Sequence, residues 1–393
     1  MLKVDYGNEA FQKAGTPFYY YDMDLLERTV RVASRAAERY GIRIHYAMKA
    51  NSEPRILKAL AAGGLGVDSV SGNEILEAIR SGFDPSGIFF AGVGKTDSEI
   101  DTALSKGIGA FNCESVEELE IVAGRAAAMG VVAPVQLRVN PEVDAHTHKY
   151  VTTGLAENKF GIASVDFERA ASFVQDSPSL RFVGLQFHVG SQILDVGEVF
   201  RDECIRAAEL VSFFEAKGLN VSTIDIGGGL GIDYDEPDEN PVPDFETWFR
   251  TIDRHLPRRS GQEVHVEPGR ALVGQCGSLI SRVVYVKKGV GRNFLVLDGG
   301  MNNLIRPALY GAYHKIENLT AHYVRSDEKK DNVYDVVGPI CESADVFATG
   351  RLLRRSLRGD LIAIRSAGAY GSVMASAYNM RGFAGAVFSD QLL

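Results

Sequence analysis

The sequence predicts an α/β protein, a (β/α)8 TIM-like barrel followed by a mostly β carboxyl-terminal domain, and three observations carry that prediction. Eight short apolar strands alternate with helix-like stretches between Leu25 and Glu267. Reactive or polar side chains stand at or just past the carboxyl ends of those strands: Lys49, Asp68, Asn112, Arg138, His188, Gly227 to Gly229 and Glu267. A parallel barrel gathers such ends around one mouth, whereas the rival architecture, a doubly wound open sheet, spreads them along an edge. After Arg270 the texture changes to strand-like runs divided by Gly, Asp and Asn turns.

Taken in order, the strands are read as Ile42 to Met48, Gly66 to Val70, Gly87 to Ala91, Ile108 to Asn112, Val135 to Asn140, Arg181 to His188, Val221 to Ile226 and Glu263 to Glu267. The helices between them are Leu25 to Tyr40, Pro54 to Ala62, Ser71 to Ser81, Asp97 to Lys106, Ser115 to Met129, Phe167 to Gln175 and Phe200 to Lys217. Each helical stretch repeats apolar residues at a spacing of three to four. The later runs Leu279 to Lys287, Asn293 to Leu297, Asn332 to Val337 and Leu361 to Ile364 read as strands of the second domain. Pro17 to Asp22, rich in aromatics, is β-prone and is expected to pair with that domain. The domain division is therefore 23–265 for the barrel, with 1–22 and 266–393 forming the β domain.

At 393 residues the chain exceeds what one hydrophobic core usually supports. Its 45% hydrophobic and 24% charged residues are ordinary for a folded globule. The formal charge of −9 argues against nucleic acid as a partner, because phosphate binding wants a basic surface. The arginines from Arg351 to Arg358 are interleaved with leucines and read as the solvated face of a turn or strand. Cys113, Cys204, Cys276 and Cys341 have no metal or paired spacing, no secretory signal is read at the start, and no apolar run is long enough for a membrane span. A cytoplasmic protein without membrane partners is the expectation.

Lys49 ends the first barrel strand in the run His45 to Asn51. An amine held there can form a Schiff base with pyridoxal phosphate or with a carbonyl substrate; a solvated lysine is the plain alternative. Gly227-Gly228-Gly229 follows the seventh strand and lets backbone N–H groups approach an anion such as phosphate. A dinucleotide fingerprint or a flexible turn competes with that reading, although the former belongs nearer the chain start. Glu267-Pro268-Gly269-Arg270 places a carboxylate able to pair with a protonated pyridine beside a guanidinium able to hold a phosphate or carboxylate, or else forms a structural ion pair. His188 can stack on a ring, or be a merely hydrogen-bonded strand-end histidine, and Ser191 can reach a phosphate. Cys341, beside Glu342, can donate a proton to a carbanion or can be a buried small hydrophobe. Arg306 and Tyr310, four apart, can share a helix face and bind a carboxylate, and Tyr370 sits in a glycine-rich turn where its hydroxyl can approach a ligand; for both tyrosines a packed, solvent-tipped ring is the plain alternative. His146, His148 and His45 lack the spacing of a metal site, so no metal is expected.

These segments, in order, resemble the alanine-racemase-type barrel family of pyridoxal-phosphate-dependent (group IV) decarboxylases: Tyr46-Ala47-Met48-Lys49-Ala50-Asn51, His188-Val189-Gly190-Ser191-Gln192, the three glycines, Glu267-Pro268-Gly269-Arg270, Cys341-Glu342-Ser343, and Tyr370 with Tyr378-Asn379. The resemblance spans nearly the whole chain. It implies pyridoxal 5'-phosphate bound through Lys49, His188 against its ring, Glu267 at its nitrogen, and its phosphate held by Ser191, Gly227 to Gly229, the turn of Arg270 and Tyr370; Asp68 joins the cofactor pocket. It implies a homodimer with shared sites, Cys341 and Glu342 entering the partner's. The run Asn302 to Tyr310 is similar to the branch that converts meso-2,6-diaminopimelate to L-lysine and CO2, with Arg270, Arg306, Tyr310, Glu342 and Tyr370 choosing the substrate. Decarboxylation of carboxynorspermidine, ornithine or arginine is the alternative, with racemization and non-catalytic cofactor binding behind it.

Overall fold

A computed structural model of the chain describes residues 1–141, 143, 159–327 and 330–392. These residues form two compact units. One comprises Val30–Gly231 and Asp244–Gly269; the other comprises Met1–Thr29, Ile232–Pro243 and Arg270–Leu393. Residues 23–29 and Ile232–Pro243 lie inside the range read as barrel but cluster with the β unit, while residues 266–269, read as β domain, cluster with the barrel.

Strand β1 (Phe18–Tyr21) belongs to the β unit, and the barrel strands follow as β2 (Ile42–Ala47), β3 (Gly66–Ser69), β4 (Ile88–Phe90), β5 (Ala110–Cys113), β6 (Ala133–Arg138), β7 (Leu180–Gln186), β8 (Thr223–Asp225) and β9 (Glu263–Val266). They pair in parallel in sequence order, and β9 returns to β2 through Ile42↔Val264, which closes the barrel. All eight expected strands are present, each within a few residues of its expected ends.

Local chemistry explains why the helices start where they do. Ser71 accepts from the Glu74 N–H at 3.2 Å, Ser115 from the Glu118 N–H at 3.1 Å, and Thr96 forms a reciprocal capping box with Glu99. Each such cap contributes about 1 kcal/mol and fixes the helix directly after a strand-end loop. Gly82, Gly107 and Gly130 end those helices in the left-handed conformation, at φ of 101°, 63° and 67°.

Alternation along the strands sorts side chains between two faces. Val67, Phe111, Leu137, Leu185, Ile224 and Val266 are buried beneath the helices. The intervening Asp68, Asn112, Gln136, Gln186 and Asp225 are equally buried but polar. Asn112 on β5 and Gln186 on β7 both donate to Glu267, just past β9. Those strands are not neighbours, so these bonds cross the lumen, and the polar row faces inward.

The β unit is built on β10 (Gly277–Lys288), with β11 (Asn293–Leu297), β12 (Ile316–Asn318), β13 (Asp331–Val337), β14 (Val346–Arg354), β15 (Leu361–Ile364) and β16 (Gly385–Phe388). Its main path runs β12-β15-β10-β11-β13-β14. As expected, the aromatic β1 joins it, antiparallel to β10 and parallel to β16. Phe11, Phe18, Tyr20, Ile280 and Leu361 pack together in its core. Helix Phe245–His255 and strands β12, β14 and β16 are absent from the sequence reading. The first four residues of the Arg351 to Arg358 run finish β14, where Arg351 lies over the Tyr313 ring at 4.5 Å.

Candidate active site

Lys49 sits on a single 3-10 turn, Met48–Ala50, directly after β2. Beneath this turn the fully buried Tyr46 donates to the Asn51 carbonyl at 2.8 Å, and the Ala47 N–H donates to the Pro268 carbonyl at 3.2 Å. Gly269 packs so closely behind it that a β-carbon there would lie 3.1 Å from both Ala47 and Ala50. The Glu267-Pro268-Gly269 turn therefore buttresses the lysine turn. The Lys49 side chain remains 42% exposed, and its amine donates to Asp68 Oδ2 at 2.8 Å.

Glu267 is held by two amides, Asn112 Nδ2 at 3.3 Å and Gln186 Nε2 at 2.9 Å. Burial pushes its carboxyl well above the usual carboxylate range, Asp225 and Asp68 add to the rise, and Lys49 and Arg138 oppose it. Arg138 is itself committed to Glu114 at 3.0 Å. His188 follows β7, and its Nδ1 accepts the Gly228 N–H at 3.3 Å, so the proton of the neutral ring resides on Nε2. Burial holds the imidazole well below its ordinary pKa, with Arg138 and Lys49 acting in the same direction.

The glycine loop is required by close packing. A β-carbon on Gly227 would lie 2.3 Å from the Phe187 carbonyl oxygen, one on Gly228 2.2 Å from that of Glu267, and one on Gly229 2.7 Å from that of Gly190; Gly227 and Gly229 also have φ of 68° and 112°. The loop is stitched to the Ser191 segment, since the Ile193 N–H donates to the Gly229 carbonyl at 2.9 Å. Gly228→Ala is thus expected to displace the Glu267 turn, at an overpacking cost of about 1–3 kcal/mol. Titration of the apoprotein with pyridoxal phosphate should show clearly weakened affinity, and an unchanged midpoint would remove this packing argument.

A second cluster lies within the β unit. Arg270 opens the short helix Arg270–Val273, donates to Tyr234 Oη at 2.7 Å and lies 5.0 Å from the Tyr370 ring centre. Arg306 begins the helix Arg306–Tyr310, which carries Tyr310 as the spacing predicts. Its guanidinium lies 5.0 Å over the Tyr234 ring and donates to His314 Nε2 at 2.9 Å. His314 Nδ1 meets the Arg365 carbonyl at 2.8 Å, which fixes the acceptor tautomer toward Arg306. Among the described residues no carboxylate pairs with Arg306, although it is only 7% exposed. Burial pulls its pKa below the ordinary arginine value, Tyr234 opposing and Arg270 reinforcing; a guanidinium nonetheless stays charged. Two buried guanidiniums lined by phenol rings have the chemistry to hold an anion. Tyr234 and His314 escaped the sequence reading, since neither lies in a recognisable motif.

Cys341 and Glu342 occupy an exposed turn, so the small buried hydrophobe reading of Cys341 fails. The Cys341 N–H donates to Asn379 Oδ1 at 2.8 Å, and Tyr378 Oη donates to Glu342 at 3.3 Å. The other three cysteines are buried and free. His45, Phe89 and His265 form a mutual ring cluster, with centroid distances of 4.2, 4.7 and 5.4 Å; His146 and His148 lie outside the described residues.

The sequence model of the pyridoxal-dependent decarboxylase pyridoxal binding domain matches residues 24–274. Diaminopimelate decarboxylase of Bacteroides thetaiotaomicron is 50% identical over 386 residues, 98% of each chain. That of Neisseria meningitidis serogroup B is 41% identical over 382 residues, 97% of this chain and 89% of the relative. The crystal structure of the Helicobacter pylori diaminopimelate decarboxylase complexed with L-lysine is similar at a TM-score of 0.90 and 37% identity, covering 97% of this chain and 93% of that one.

Proposed function

Since the chain belongs to the pyridoxal-dependent decarboxylases, we propose that it releases CO2 from meso-2,6-diaminopimelate and leaves L-lysine, the last step of lysine biosynthesis. Near-full-length similarity to diaminopimelate decarboxylases supports this substrate. The observation that carries it physically is Arg306, a buried guanidinium without a carboxylate partner among the described residues. Diaminopimelate retains a second carboxylate through the reaction, and a guanidinium is its natural counterpart. Ornithine and its polyamine relatives lack that group and call for acids instead.

The barrel residues fit pyridoxal 5'-phosphate. Asp68 Oδ1 is buried without a partner and the buried Glu267 has only neutral amide donors, an interior that wants a positive charge, as a protonated pyridine nitrogen carries. Lys49 would anchor the cofactor, His188 would serve its ring face and Glu267 would take its nitrogen. Ser191, Gly227 to Gly229, Arg270 and Tyr370 would hold its phosphate. When bound, the cofactor supplies the electron sink for the pair left by the departing carboxylate. Neutral His188 adds no competing charge at the ring face. Arg306, Tyr310, Arg270, Tyr370 and Glu342 bind the substrate's remaining polar groups, and Cys341 returns a proton to carbon. The exposed positions of Cys341 and Glu342 in the single chain support a homodimer in which they serve the partner's site. The four free cysteines accord with a reducing cytoplasm.

CO2 release and product identity should be measured with meso-diaminopimelate, ornithine, arginine and carboxynorspermidine supplied separately to cofactor-loaded protein. Lysine from diaminopimelate alone is the expected result. Turnover confined to a polyamine precursor would keep the fold and cofactor but overturn the substrate.

A further inference from the structure

Asp225 closes β8 and is wholly buried in the barrel lumen. Its Oδ1 accepts the Gly227 N–H at 2.8 Å, whereas its Oδ2 has no donor. Glu267 lies within hydrogen-bonding reach of it, and both glutamate oxygens already accept from Asn112 and Gln186. Gln186 is the register partner of Asp225 on one side and His265 on the other. Burial keeps His265 neutral, and its pKa falls to about 3.

The neighbouring cations favour the ionised pair, but each is directly bonded to another acid. Lys49 is engaged by Asp68, and Arg138 by Glu114. His188 is neutral, and Asp68 is a third acid. Two ionised carboxyls facing each other in a buried space repel strongly, and one of their oxygens would lack any donor. A single proton removes both costs.

We propose that Asp225 and Glu267 share one proton, held on Asp225, which makes Asp225 a positioning residue that donates to Glu267. This rests on the cofactor assignment above and deepens it: Glu267 is left as the carboxylate offered to the ring nitrogen, fixed by three donors. The glycine loop enters the same unit, because the other oxygen of Asp225 holds Gly227. Burial raises the Asp225 pKa, the Gly227 N–H opposes the rise, Asp68 adds to it, and the Glu267 contact and Arg138 lower it, while burial raises Glu267 as well; geometry places the proton on Asp225, because both Glu267 oxygens already accept amide N–H groups.

The first test is a carboxyl-13C NMR titration of the full chain labelled at aspartate, with and without pyridoxal phosphate. Aspartate labelling leaves out Glu203, another buried acid without a partner. One resonance should stay at the protonated position at neutral pH, vanish in Asp225→Asn and titrate at lower pH in Glu267→Gln, which serves for assignment if the first variant fails to fold. An Asp225 resonance at the ionised position at neutral pH would overturn the proposal. It would do so whether or not diaminopimelate proves to be the substrate, so the two readings fail separately.

Kinetics give the second test. Asparagine can still accept from Gly227 and donate to Glu267; leucine can do neither. Asp225→Leu should lower kcat about 10- to 100-fold with KM nearly unchanged, the loss of a hydrogen bond to a charged group. Asp225→Asn should retain at least about tenfold more kcat than the leucine variant. Its alkaline limb should move to higher pH, because the proton lost as pH rises in the parent is no longer there to lose. Equal kcat in the two variants, or an alkaline limb unmoved by asparagine, would count against a shared proton.

Discussion

Lys49→Ala is expected to abolish turnover, by about four orders of magnitude or more, and to remove the absorbance at ~420 nm that a protonated Schiff base to the cofactor gives. The expectation follows from how much structure is committed to this one side chain. A buried tyrosine, a backbone bond from Ala47 to Pro268 and the close approach of Gly269 fix the turn that carries it. Asp68 then orients the amine. Alanine deletes the amine while leaving that frame, since the bonds that fix the turn are made by Tyr46, Ala47 and Gly269 and not by the Lys49 side chain. The folded variant should still take up the cofactor, held by the glycine loop and Glu267 without a covalent link. Spectra before and after filtration separate the two states, and absorbance that survives filtration would show that another lysine is the anchor. Cys341→Ala should also be inactive. Because the shared-site reading puts Cys341 in the partner's site, mixing the two inactive variants through a dissociation step should restore activity, and no restoration would argue that each chain supplies both residues to its own site.

What could be read from the sequence was what the chain writes locally. Strand-end placement of Lys49, Asp68 and Glu267 is enough to suggest a barrel, because parallel strands of similar length bring their carboxyl ends together. The three glycines advertise close approach, although their immediate cause is neighbouring protein backbone. The partners of these residues were not legible. Asn112 reaches Glu267 across 155 positions and Gln186 across 81, so no spacing rule connects them. Tyr234 and His314 become visible only because Ile232–Pro243 folds against the β unit and the Arg365 carbonyl chooses a histidine tautomer. The helix Phe245–His255 was masked by Pro241 and Pro243, which mark its approach as loop, although Asp244 caps it through the Thr247 N–H at 2.9 Å.

Arg306→Ala should lower kcat/KM for diaminopimelate by about 100-fold or more, the effect of removing one side of a buried, hydrogen-bonded charge pair. The guanidinium is prepared for an anion before any arrives. The Tyr234 ring supports its face, His314 takes one N–H, and the Arg365 carbonyl holds His314 in the tautomer that can accept it. A substrate carboxylate bound there would meet a cation already dehydrated and oriented, which is where binding gains most from pre-organisation. Arg306→Lys should recover only part of the loss, since an ammonium offers a point charge and cannot present the two parallel donors of a guanidinium. Neither change should lower the thermal midpoint as a broken ion pair would, because the arginine has no carboxylate partner among the described residues. Steady-state kinetics on diaminopimelate and ornithine, beside a thermal melt, tests each part. A loss below about threefold with diaminopimelate would mean that the retained carboxylate is not bound by Arg306. Equal losses on both substrates would place Arg306 in a role common to them, such as support of the phosphate beside Arg270, and would reopen the choice of a polyamine precursor.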